Sequence, residues 1–182
     1  MKPTESTSNA VKRLFESRKR FLIRASVMLL VVGSMSVYAG TRFSIGYEMQ
    51  DEFQCLPWTL FLIDKHDKNI ERGHYFAYSA RHMEPLVKDG TITLKKAAAG
   101  PGDTVRVELN RTWVADQPQP NSQLMFPNAI KPLYESMESL TRELVVAEGE
   151  FFAMGTLLGS YDSRYWGTVK SNQVIGRVYP LY

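Results

Sequence analysis

The chain has 182 residues, with 22 Lys and Arg against 19 Asp and Glu and a formal net charge of +3. That length supports one domain with a real core and hardly two; so small a charge, with no basic stripe interleaved with aromatics, gives nucleic-acid binding no support. The single cysteine, Cys55, excludes an intrachain disulfide, and a lone Cys is ordinarily a small buried hydrophobe.

Residues 1–20 are polar and basic, with Lys12, Arg13, Arg18, Lys19 and Arg20, and read as a cytoplasmic tail. Phe21 to Gly40 is apolar apart from Arg24, and roughly 20 such residues cross a bilayer as a helix. Arg24 lies at the cytoplasmic end, where its side chain can reach back to the headgroups. The basic flank assigns the N-terminus to the cytoplasm and residues 41–182 to the far side of a single-pass anchor. A cleavable export signal ending near Val37-Tyr38-Ala39 is the alternative, but the hydrophobic run is longer than such a signal needs.

Thr41 to Glu52 reads as a connector leaving the membrane. Beyond it the pattern is of short β segments divided by turn residues. Residues 58–63 form the first candidate, followed by 75–78 after Arg72-Gly73 and 91–95 after Asp89-Gly90. Residues 104–109 and 112–115 flank Asn110-Arg111 as a hairpin, and 143–147, 151–154 and 174–179 complete the set. Pro118, Pro120, Pro127 and Pro132 interrupt residues 117–141, which read as an insertion or flap with a short helix near 133–140. The fold class is therefore mainly β: a bent, partly closed antiparallel sheet domain behind one N-terminal transmembrane helix.

Metal-free peptide hydrolysis needs a nucleophile, a base and donors for the oxyanion. No His-Glu-x-x-His or paired Cys/His spacing implies a metal, and no Gly-x-Ser-x-Gly elbow supports a serine-histidine-aspartate triad. His66, His74 and His82 have no partner motif and read as surface or packing residues. Two segments carry more information. Lys95 and Lys96 run through Ala97-Ala98-Ala99 into Gly100-Pro101-Gly102-Asp103, and Ser160 precedes Asp162-Ser163-Arg164-Tyr165-Trp166-Gly167. Two adjacent lysines are usually solvated, yet a lysine base must be held partly neutral by apolar surroundings, which Leu94 and the alanines would supply.

A lysine leading into Pro-Gly-Asp, followed late in the chain by Ser-x-Asp-Ser-Arg, resembles the bacterial type I signal peptidases, membrane-anchored proteases with a Ser/Lys dyad. The resemblance covers most of residues 53–182. It implies that Lys95 is the general base, that Ser160 orients it, and that Asp162, Arg164 and Asp103 support the site. Residues 155–159 lack the Gly-Asp-Asn-Arg of the housekeeping enzymes, and their shorter spacing is closer to the conjugative-transfer branch, whose members mature pilins. In that branch the nucleophilic serine opens Ser-hydrophobic-Pro-x-Gly-hydrophobic-Tyr. Here Cys55-Leu56-Pro57-Trp58-Thr59-Leu60-Phe61 fits with Cys for Ser, Thr for Gly and Phe for Tyr. A thiolate is a competent nucleophile and asks less of its base. Ser79, ahead of Ala80-Arg81-His82-Met83-Glu84-Pro85, is the alternative nucleophile, although two extra residues precede the Met. Backbone N–H groups near Cys55 would hold the oxyanion; Phe53 stands where some relatives add a hydroxyl.

The resemblance thus implies a signal peptidase of the bacterial cytoplasmic (inner) membrane with its catalytic domain in the periplasm. It would cut exported precursor proteins, such as a prepilin, after small residues, and would need no cofactor. Hydrolysis and transfer of the acyl group to an amine both stay open. Two other readings are a catalytically silent scaffold of a conjugation or secretion apparatus and a LexA-like self-cleaving regulator. The anchor and the lack of a DNA-binding segment count against the second.

Overall fold

The computed structural model describes residues 5–48, 54–125 and 130–182. Two compact units result, residues 1–42 and 43–182. The first is one helix, α1 (Glu5–Arg42), which begins inside the segment read as a tail. Its stretch Arg18–Arg42 has a mean hydropathy of 1.8 and no buried residues in its most apolar part. That length and composition fit a membrane anchor.

The second unit carries two antiparallel sheets. The larger is built from β1 (Phe43–Tyr47), β2 (Leu60–Asp64), β3 (Tyr75–Ser79) and β4 (Ile92–Ala99). The smaller follows in chain order as β5 (Thr104–Val107), β6 (Thr112–Val114), β7 (Gln117–Pro118) and β8 (Arg142–Val145). The chain then returns to the larger sheet with β9 (Glu150–Met154), β10 (Val169–Lys170) and β11 (Val174–Pro180). A single helical turn, α2 (Ser163–Trp166), lies between β9 and β10. Spatial order is β1-β2-β11-β3-β4-β9-β10 in the larger sheet and β7-β6-β5-β8 in the smaller.

Local sequence explains the division. In β5, Val105 and Val107 are buried while Thr104 and Arg106 point outward, the period of two expected of a strand with one wet face. β3 lies between β11 and β4, and its Phe76, Ala77 and Tyr78 are all fully buried. In β4, Ala97, Ala98 and Ala99 are buried together, and the register against β9 shifts between Ala97 and Ala99. Such an irregularity bends a sheet. At Gly100–Asp103 the chain passes from one sheet to the other. Gly102 has φ +85°, a conformation only glycine takes without strain, and Asp103 Oδ2 accepts from the Gly100 N–H at 3.0 Å.

The mainly β antiparallel class read from sequence is the one found, and eight of the expected strands coincide with β2–β6, β8, β9 and β11 to within a few residues. Two differences stand out. Phe43–Tyr47, read as part of a connector, pairs with β2 along its whole length. In place of a helix at 133–140 there are two 3-10 turns, Lys131–Leu133 and Glu138–Leu140. Pro127, and Phe53 with its expected lack of a hydroxyl, lie outside the described residues.

Candidate active site

The site is assembled from β4, the segment at Cys55–Leu56 and the loop running from Gly155 into α2. Lys95 projects from β4 and is 1 % exposed, and its Nζ donates to Ser160 Oγ at 3.1 Å. Lys95 and Ser160 are thus in direct contact, although 65 residues separate them in sequence. Ser160 is itself buried.

Behind Ser160 is a polar knot without access to water. Asp162 and Arg164 are both fully buried. Arg164 donates to the carboxylate bidentately, Nε to Oδ1 and Nη2 to Oδ2, each at 2.8 Å. Asp162 also accepts from the N–H of Arg164 (3.2 Å), capping α2, and from the N–H of Gly155 (2.9 Å). Two further guanidinium hydrogens go to the carbonyls of Ser160 (3.0 Å) and Gln123 (2.9 Å). Burial alone would lower the pKa of Arg164, but the adjacent Asp162 carboxylate outweighs it and holds that pKa above its ordinary value. A buried pair survives desolvation only when its remaining lone pairs and hydrogens find partners, and here both carboxylate oxygens and four of the five guanidinium hydrogens have one. Ser163, the second serine of the motif, accepts from the Ala153 N–H at 2.9 Å and so ties β9 to this turn.

Cys55 is half-buried. Its carbonyl accepts from the N–H groups of Thr156 (2.8 Å) and Leu157 (3.3 Å). Gly155 marks how closely the segments converge. A Cβ at that position would lie 2.2 Å from Ser160 Oγ and 2.8 Å from the Cys55 carbonyl oxygen, so only glycine lets the two pass. Cys55 and Lys95 line one cleft of about 540 Å³, whose walls include Met83, Leu94, Ile130 and Tyr161.

Ser79 stands apart. In the β3–β4 ladder Lys95 is paired with Phe76, while Ser79 is paired with Ile92, three rungs away. Three rungs are about 10 Å, and an odd step turns the side chain to the opposite face. Ser79 is not among the residues lining the cleft. Its carbonyl accepts from Gln173 Nε2 at 3.0 Å. Asp103 serves the turn described above and lies 3.7 Å from Arg72 Nη1, and it does not line the cleft. His66 is exposed, and the Nδ1 of His74 accepts from the Glu71 N–H.

Three contributors were not singled out in the sequence. Gly155 was quoted only within a spacer, although a glycine at the end of a buried strand signals close backbone approach. Ile130 comes from the 117–141 segment, which is fastened to the α2 region on several sides. Tyr165 Oη donates to the Met125 carbonyl (3.0 Å) and accepts from its N–H (2.9 Å), and Tyr134 Oη lies 3.3 Å from Tyr161 Oη. The third is Tyr78, whose ring packs against Phe76 and Trp166 behind the site.

A family profile described as signal peptidase, peptidase S26, matches residues 18–182. Among solved structures, a signal peptidase I from Enterococcus faecalis V583 is similar over 61 % of this chain and 97 % of its own, at 23 % identity and a TM-score of 0.38. No curated protein matches the chain.

Proposed function

The chain belongs to the signal peptidase family, and from that premise we propose that it is a membrane-anchored Cys/Lys peptidase that cleaves exported precursor proteins. The observation that carries the reading is the buried Lys95–Ser160 hydrogen bond in the cleft that Cys55 also lines. The distance of Ser79 from that cleft supports Cys55 as the nucleophile.

In the reaction, Lys95 takes the Cys55 thiol proton and the thiolate adds to the scissile carbonyl. Backbone N–H groups near Cys55 hold the oxyanion. As the tetrahedral adduct collapses, the Lys95 ammonium returns its proton to the departing amine, leaving a thioester on Cys55. Lys95 then deprotonates water for attack on the thioester, which restores the thiol. Ser160 aims Nζ throughout, and the Asp162–Arg164 pair fixes Ser160 by its carbonyl. Small residues before the cut are proposed from the family resemblance; the cleft wall mixes Met83, Leu94 and Ile130 with Glu48, Lys88, Thr91 and Thr93. The segment Arg18–Arg42 anchors the enzyme with its N-terminus in the cytoplasm of a bacterium and its peptidase domain on the periplasmic face. A prepilin of a conjugative system is the proposed precursor, supported by the short 155–159 spacer.

The test is processing of a co-expressed prepilin by wild type, Cys55→Ala, Ser79→Ala and Lys95→Ala. Loss of cleavage in Cys55→Ala and Lys95→Ala, with Ser79→Ala active, is expected. Cleavage by Cys55→Ala would overturn the nucleophile assignment. A wild type that cuts no exported precursor would leave the silent scaffold as the better account.

A further inference from the structure

Tyr78 is 0 % exposed, and its hydroxyl has no hydrogen-bond partner among the described residues. An orphaned buried hydroxyl is a cost that a phenylalanine would remove. Phenylalanine would also preserve the packing, since the Tyr78 ring sits 5.3 Å from Phe76 and 6.1 Å from Trp166 between centroids. Packing therefore does not explain the oxygen. The indole N–H of Trp166 is a second orphaned donor on this wall, but losing it would mean losing the ring.

The position of Tyr78 is informative. It is paired with Thr93 across the β3–β4 ladder, one diagonal from Lys95 and on the same face. Burial, with Asp162 and then Cys55 nearby as lesser causes, pushes the pKa of its phenol well above the ordinary value. The phenol thus stays protonated and remains a donor throughout the working range. Asp162 already accepts from Arg164 and Gly155, whereas a Cys55 thiolate is an acceptor that exists only once its proton has left.

We propose that Tyr78 is a positioning residue whose hydroxyl donates a hydrogen bond to the Cys55 thiolate as the thiol proton passes to Lys95. No proton leaves Tyr78 in this step; its O–H turns from an orphan into the partner of the sulfur anion. Catalytic hydrogen bonds often close only when the reacting charge appears. The inference rests on the Cys/Lys reading above and extends it to a residue that touches no substrate.

The test uses the full-length protein in detergent and compares wild type with Tyr78→Phe. Two quantities are read: kcat and KM for the precursor, and the pH dependence of Cys55 alkylation by iodoacetamide. The charged and titratable groups around the sulfur are unchanged in this variant, namely Lys95 on β4, Glu48 and Lys88 at the cleft, Tyr161, and Asp162 with Arg164 behind. Tyr78→Phe should lower kcat by roughly 10- to 100-fold with KM held, the worth of a hydrogen bond to a charged group. Its alkylation profile should move alkaline by about one pH unit or more. A purely structural hydroxyl predicts the reverse: unchanged kcat, an unchanged alkylation profile and equal or higher thermal stability. That result, with Cys55→Ala inactive, overturns the inference alone. Cleavage by Cys55→Ala overturns the reading on which it rests.

Discussion

The two halves of the site are held in different ways. On the Lys95 side the Asp162–Arg164 pair is densely hydrogen-bonded. Asp162 accepts four hydrogen bonds, and Arg164 links the carboxylate to the Ser160 and Gln123 carbonyls. On the Cys55 side the main-chain carbonyl of Cys55 accepts from Thr156 and Leu157, and the buried hydroxyl of Tyr78 has no hydrogen-bond partner among the described residues. Ser160 is therefore tied through Arg164 to a carboxylate that accepts on both oxygens, whereas the Cys55 carbonyl ties that segment to the start of the next loop.

The sharpest way to break the comparison is to remove one side of the base-side knot. Arg164→Ala leaves the Asp162 carboxylate buried without its main partner, which should destabilise the protein by about 3–5 kcal/mol, read as a fall in unfolding midpoint of the detergent-solubilised chain. A loss below 1 kcal/mol would mean that the knot is not the rigid half. Gly155→Ala comes next, because its Cβ would strike both halves at once, at Ser160 Oγ and at the Cys55 carbonyl. A displacement of about 1 Å at a reacting group costs roughly 100-fold, and precursor cleavage should fall at least that far. Cleavage at the wild-type rate would show that the two segments can separate freely.

Much of the base side was legible in sequence because it is local. Ser160, Asp162 and Arg164 lie within five residues of one another, and Lys95 is marked by the Pro-Gly-Asp turn that follows it. A short motif carries its own geometry, so its members can be named before a fold is known. The nucleophile side depends on contacts between distant segments. Tyr78 reads as one more core aromatic in Tyr75-Phe76-Ala77-Tyr78, and only the β3–β4 register brings it to the face of Lys95. Gly155 gains meaning from what lies opposite it. β1 escaped notice because Phe43–Tyr47 is a strand by virtue of β2, which follows after a gap of 12 residues. Strands of the central sheet were legible from their turn residues, and the mainly β class followed from them.

Two milder substitutions sharpen the same contrast. Ser160→Ala removes the hydroxyl that Lys95 Nζ meets at 3.1 Å while leaving the Ser160 carbonyl to Arg164. Its effect should be confined to aim, on the order of 10- to 100-fold in kcat with stability nearly unchanged. An equal loss in stability would assign Ser160 to the knot instead of to the base.

The smallest effect is expected at Ser79. Its side chain faces away from Lys95 and it is bound to the fold through its carbonyl, so Ser79→Ala leaves both the Gln173 contact and the cleft intact. Cleavage should stay within about twofold of wild type and stability within about 0.5 kcal/mol. The value of this variant lies in its asymmetry with Cys55→Ala. Both positions precede Lys95 and both offer a nucleophilic atom, so composition and order along the chain do not separate them. What separates them is sheet register, in which an odd number of residues along β3 puts a side chain on the wrong face. A Ser79→Ala enzyme that lost cleavage while folding normally would mean that β3 shifts by one residue when substrate binds.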